Sequence, residues 1–166
     1  MTIPFLLSAG VALISTLAVI IGRHPVHALL YLVTSLLAVA VMLFLLGAPF
    51  AAALQVIVYA GAIMVLFLFV LMLLDLRPGS RGGPPSVRAW LGPGLLAAVL
   101  LGEMLWLLVG GIPGDGTARA VGPKAVGITL MGPYLIAMEA ASLVLLAGLV
   151  GAWHLGRPND PREEDR

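Results

Sequence analysis

Two carboxylic acids, Glu103 and Glu139, stand inside long stretches of apolar residues. In a hydrocarbon setting such a group faces protein or water, because exposing it to lipid is costly. It then either relays protons or stays hydrogen-bonded and helps helices associate. For Glu103 the residues alone favour the packing role. Asp75, beside Arg77, ends an apolar run and reads as an interfacial charge, and His24, His27 and His154 read as interfacial anchors. A second chemical feature is Gln55-Val-Ile-Val-Tyr59-Ala-Gly61-Ala-Ile-Met64-Val-Leu-Phe67. Gln55 and Tyr59, four apart, share one helix face. Ala60, Gly61 and Ala62 strip away side-chain bulk just beyond the tyrosine. Small residues let transmembrane backbones cross closely. They also mark points where a helix changes hydrogen-bond register through a π-bulge. The residue types favour the crossing.

Other chemistries are excluded by composition. The chain has no cysteine, so it holds no disulfide, iron–sulfur cluster or thiolate metal site. Its three histidines are too scattered for a metal or haem site. A net charge of +1 offers no basic field for nucleic acid. No Gly-rich phosphate loop or nucleophile–base pair is present.

The elements that must position these residues follow from hydrophobicity. Of 166 residues, 61% are hydrophobic and 10% charged, which is too apolar for a soluble domain, where roughly a quarter of residues are charged. A helical crossing needs about 20 apolar residues, and five runs qualify: residues 3–21, 26–46, 51–74, 89–109 and 133–155. Helix is the state that satisfies its own backbone in lipid, and the runs lack the alternation of barrel strands. The expected fold is an all-α integral membrane protein with five transmembrane helices. Residues 1–156 form one domain, and a charged, disordered cytoplasmic tail occupies 157–166. No Lys or Arg precedes the first run, so it reads as a retained span rather than a cleaved signal. Arg23, Arg77, Arg81, Arg88, Arg157, Arg162 and Arg166 fall on one side of this topology, and Arg119 and Lys124 on the other. That asymmetry places the N-terminus in the periplasm and the C-terminus in the cytoplasm. Glu103 and Glu139 then both lie roughly 9 Å below the outer surface, counting 1.5 Å per residue.

The Gln55–Val70 stretch resembles the signature of the subunit J family of bacterial NADH–quinone oxidoreductase, respiratory complex I, whose mitochondrial counterpart is NADH dehydrogenase subunit 6. His24-Pro-Val-His-Ala-Leu-Leu-Tyr31 resembles the start of that family's second helix. Lys124-Ala-Val-Gly-Ile-Thr-Leu-Met-Gly-Pro-Tyr134, Glu139-Ala-Ala-Ser142 and Leu145-Leu-Ala-Gly148-Leu-Val resemble its fifth helix and the approach to it. The similarity covers roughly residues 10–157 and is weakest in the 77–88 loop and the tail.

The resemblance implies a multi-pass inner-membrane subunit with five helices. Its neighbours would be subunits A, K and H, the last of which carries the quinone site. The whole complex passes electrons from NADH to quinone and pumps protons. The resemblance implies no catalytic residue and no cofactor in this chain, with NADH, FMN, iron–sulfur clusters and quinone handled by other subunits. It implies a π-bulge switch in the third helix involving Tyr59, Ala60, Gly61, Met64, Val65 and Phe67, which makes or breaks a water path toward subunit K. On that ground the switch overtakes the crossing at Gly61, and a proton-relay role for Glu139 draws level with a packing role. Glu103 lies outside the matching stretches and remains a candidate relay on its position alone. A stand-alone transporter would need a ladder of polar groups, but the intramembrane carboxylates share one depth. A related hydrogenase or antiporter arm fits the Gln55–Val70 stretch less well.

Overall fold

A computed structural model describes residues 2–22, 25–75, 87–110 and 120–156. The expected tail at 157–166, residues 77–86 of the expected 77–88 loop, Arg23, His24, Arg119 and the side chain of Asp75 lie outside that description, while Val87 and Arg88, expected in the loop, begin a helix. Contacts divide the chain into two units, Met1–Gly122 and Pro123–Arg166, each with its own helices.

Every regular element among the described residues is a helix. In the first unit these are α1 (Thr2–Ile21), α2 (Pro25–Leu45), α3 (Pro49–Leu54), a π-helical segment (Gln55–Ile63), α4 (Met64–Asp75) and α5 (Val87–Gly110). In the second they are α6 (Pro123–Met131) and α7 (Leu135–Leu155). Five helical stretches are long and apolar enough to cross a membrane, the number expected: Thr2–Ile21, Pro25–Leu45, Pro49–Leu73, Trp90–Val109 and Leu135–Leu155. The third is one continuous rod made of α3, the π-helical segment and the start of α4. Pro93 falls inside α5 rather than at its first position. Its missing N–H deprives the carbonyl four residues earlier of a partner, a cost confined to the helix's first turns. α6 is additional to the expected spans, because its nine residues are too short to cross and too polar to show an apolar run.

The core of the first unit is a joint of α1, α2 and α5. The buried face of α1 is Pro4, Ser8, Val11 and Ser15. These sit four, three and four residues apart, a narrow stripe down one side of the helix. All are small or compact, so α1 lies close against its neighbours. Val11, Ala38 and Leu100 form one packed layer, with Ala38 fully buried. Val41, Leu45 and Leu107 form a second, with Phe5 against it. From the first layer to the second, α1 steps back from Val11 to Phe5 while α2 advances from Ala38 to Val41 and Leu45 and α5 from Leu100 to Leu107. α1 is therefore antiparallel to α2 and α5, which run the same way. At the far end of the joint, the Tyr31 hydroxyl of α2 occupies the space that a Cβ at Gly92 of α5 would fill. Large apolar side chains elsewhere, such as Leu13, Leu68 and Phe69, point outward, as hydrocarbon or neighbouring membrane helices require.

The turn from α2 into α3 has a specific cause. Gly47 adopts φ +82°, a conformation that costs residues with a Cβ roughly 1–2 kcal/mol. Its N–H donates to the Phe44 carbonyl at 3.1 Å, and Ala48 N–H to the Leu43 carbonyl at 3.0 Å. This is a Schellman ending. Pro49 then opens α3 at a position that tolerates its missing donor. The Val121 N–H donates to the Gly47 carbonyl at 2.9 Å and ties the end of this unit to the same turn.

Candidate functional site

The third span changes hydrogen-bond register in its middle. Ala51 and Ala52 carbonyls receive the Gln55 N–H, so the rod begins in α-helical register. From Gln55 to Ile63 the bonding is π-helical. The exit is bifurcated, with the Met64 N–H shared between the carbonyls of Tyr59 and Gly61. π-helix usually occurs as a single-turn bulge, often at functional sites, and nine residues exceed one turn.

Gly61 belongs to this register. A Cβ built there would come 3.2 Å from the Val56 carbonyl oxygen, five residues earlier in the same segment, and beyond the adjoining backbone it would meet no other described atom within 4 Å. Among the described residues of the first unit, no other helix comes within 4 Å of that position. What its missing side chain relieves is its own backbone. Tyr59, Ala60 and Gly61 lie inside the π-helical segment, and Met64, Val65 and Phe67 lie in α4 beyond it. The six residues thus straddle the junction between the two registers. Tyr59 is 53% exposed, and Val65 and Phe67 also face outward. α2 packs against both the π-helical segment and α4.

The second polar feature is Glu103, on the face of α5 that also carries Leu100 and Leu107. It is 8% exposed. The Ser8 hydroxyl of α1 donates to its Oε1 at 2.8 Å. Its Oε2 is buried without a hydrogen-bond partner among the described residues, as is the Ser15 hydroxyl. One helical position past Ser15, the Thr16 hydroxyl donates to the Ala12 carbonyl at 2.8 Å and meets the Ser35 hydroxyl of α2 at 2.8 Å. Ser35 also reaches the Ala12 carbonyl at 3.3 Å. Polar groups therefore mark two levels of α1, about 10 Å apart by helix rise. Ser8, Ser15, Thr16 and Ser35 were not singled out from sequence. The available signal was the seven-residue spacing of Ser8 and Ser15, which puts two hydroxyls on one face of an otherwise apolar span.

Glu139 lies exposed on α7, in the second unit. The Ser142 hydroxyl donates to the Glu139 backbone carbonyl at 2.7 Å, a local bond within one helical turn. Gly148 and Gly151, a notch in the same helix, have open space where a Cβ would stand. His27 lies in the first turn of α2 and His154 in the last turn of α7. Among the described residues no three His, Cys, Asp or Glu side chains converge as a metal site would need.

The site thus holds a π-helical stretch in mid-span and a buried carboxyl. Comparison with known proteins adds the context. Residues 15–155 match the family described as NADH-ubiquinone/plastoquinone oxidoreductase chain 6. NADH-quinone oxidoreductase subunit J of Pseudomonas aeruginosa is 53% identical over 163 residues, covering 95% of this chain and 97% of that protein. The Escherichia coli K12 protein of the same name is 49% identical over 165 residues, covering 95% and 87%. That of Rhodobacter capsulatus is 38% identical over 159 residues, covering 89% and 77%.

Proposed function

The chain belongs to the family of NADH-ubiquinone/plastoquinone oxidoreductase chain 6, and on that premise we propose that it is a membrane-arm subunit of a proton-pumping NADH–quinone oxidoreductase. In this reading it is a coupling subunit without catalytic residues of its own. NADH, flavin, iron–sulfur and quinone chemistry belongs to other subunits. It sits in the bacterial inner membrane with its N-terminus in the periplasm and its C-terminus in the cytoplasm. Subunits A, K and H are its neighbours, and they cover the outward apolar faces of the third and fifth spans.

The observation that carries the coupling role is the π-helical register of Gln55–Ile63 in the middle of a span. Each π-type residue removed from the register turns everything beyond it by about 100° and shifts it by about 1.5 Å. Converting the segment to α-helix therefore swings Met64, Val65 and Phe67 relative to Tyr59. Bulky outward side chains that change direction at mid-membrane open or close a path for water along a neighbouring subunit. Quinone reduction drives the change, and proton movement answers to it.

Gly61→Leu tests this reading. The added side chain crowds the Val56 carbonyl and biases the segment away from its present register. The complex is expected to assemble with quinone reduction less tightly coupled to proton translocation in reconstituted vesicles. Unchanged coupling in fully assembled complex overturns the switch.

A further inference from the structure

The two oxygens of the Glu103 carboxyl are in different situations. Oε1 accepts the Ser8 hydroxyl at 2.8 Å. Oε2 is buried without a partner among the described residues. Two apolar layers enclose the group: Val11, Ala38 and Leu100 one turn before it on α5, and Val41, Leu45 and Leu107 one turn after. Among the described residues of the packed helices no cation stands nearby. α1 carries no Asp, Glu, Lys, Arg or His between residues 2 and 21. The titratable residues of α2 are His27 and Tyr31, at its other end. Tyr31 meets Gly92, eleven residues from Glu103 and therefore about 16 Å away along α5.

An ionised carboxylate in this place would have one hydrogen bond, no counter-charge and apolar neighbours on both sides, a combination that buried charges avoid by neutralising. A neutral carboxylic acid fits the same surroundings. Its carbonyl oxygen accepts the Ser8 hydroxyl, and what stays unpartnered at Oε2 is a neutral O–H rather than a charge. With the Ser8 hydroxyl donating to Oε1, the acid proton stands on Oε2.

We propose that Glu103 is a proton-binding site, loaded in this arrangement, with its proton on Oε2 and its carbonyl oxygen latched to α1 by Ser8. Because Oε2 is sealed inside the first unit, no neighbouring subunit reaches it while α1 and α5 are closed. Unloading needs the two helices to part at Ser8 and admit water. The Oε2–H bond then breaks, its electron pair stays on the carboxylate, and the proton passes to that water; reloading is the reverse. The site belongs to α1 and α5 and does not depend on the register of the third span, so the two readings stand or fall separately.

Infrared difference spectroscopy on the assembled complex in membranes tests the site directly. Subtracting the Glu103→Gln spectrum from that of the wild type is expected to reveal a protonated carboxyl C=O band. In D₂O that band is expected to shift slowly, over a time far longer than mixing. In Ser8→Ala it is expected at higher frequency, because the carbonyl has lost its donor, and it should exchange faster. A carboxylate pair of bands in place of the C=O band overturns the proposal, as does exchange complete on mixing. If Glu103→Gln fails to assemble, Ser8→Ala against the wild type decides alone, and the absence of any shifted C=O band overturns the proposal. Coupling efficiency does not enter this readout, so loss of the Gly61 switch would leave the result intact.

Discussion

Ser8 of α1 and Glu103 of α5, ninety-five residues apart in sequence, meet through a 2.8 Å hydrogen bond inside the joint of three helices. Each is the other's polar partner in an otherwise apolar contact. Ser8→Ala therefore leaves Glu103 buried with neither oxygen bonded. An unsatisfied buried group costs about 1–3 kcal/mol. The variant is expected to lower the midpoint of thermal inactivation of the purified complex. Ser8→Thr, which keeps the hydroxyl, should lose less. Equal stability of wild type and Ser8→Ala would show that the bond contributes nothing.

The contact between Tyr31 and Gly92 predicts a compensating pair. A methyl group at position 92 collides with the Tyr31 hydroxyl. Overpacking of this kind costs about 1–3 kcal/mol. Gly92→Ala should reduce assembly yield, and Tyr31→Phe added to it should recover part of the loss, since it removes the atom in conflict. A double variant no better than Gly92→Ala would place the clash elsewhere.

At Gly61 the expected effect is graded by size. A single methyl approaches the Val56 carbonyl at 3.2 Å, which a small backbone adjustment absorbs. Gly61→Ala should reduce the coupling of quinone reduction to proton uptake less than Gly61→Leu does, with assembly retained in both. Proton uptake by vesicles and quinone reduction, measured together, give the ratio. An alanine variant worse than the leucine variant would contradict register crowding as the cause.

Topology is testable without a background thiol in this chain, which has no cysteine. A cysteine introduced ahead of α1 is expected to react with a membrane-impermeant maleimide in spheroplasts. One placed in the C-terminal tail should react only after the membrane is broken. The opposite pattern would invert the orientation drawn from the Arg and Lys asymmetry.

Much of the architecture is written locally. Each span is a run of about 20 apolar residues that must satisfy its own backbone in lipid, so helices and their number follow from hydrophobicity alone. Gly47 before Pro49 marks a helix end because only glycine adopts that φ cheaply. The short run Gln55-Val-Ile-Val-Tyr59-Ala-Gly61 marked the place where π-helical register occurs, although the residue types by themselves favoured a close crossing there. α6 is not legible in the same way, because a nine-residue helix needs no long apolar run.

The partners of Glu103 were a different matter. From sequence it was an acid at a certain depth, the same depth as Glu139, because both stand six residues from the outer end of a span. In the fold its bonded neighbour is Ser8, while Glu139 lies in a separate unit with its side chain exposed. Depth along a helix is a one-dimensional quantity that the chain itself encodes through a constant rise per residue. Which face meets which neighbour depends on rotation about each helix axis, and that is settled only when small residues such as Ser8, Ala38 and Gly92 let three backbones close together. Sequence by itself thus determined the five long apolar spans. Tertiary packing decided that Glu103 is sealed between two apolar layers with Ser8 as its bonded neighbour.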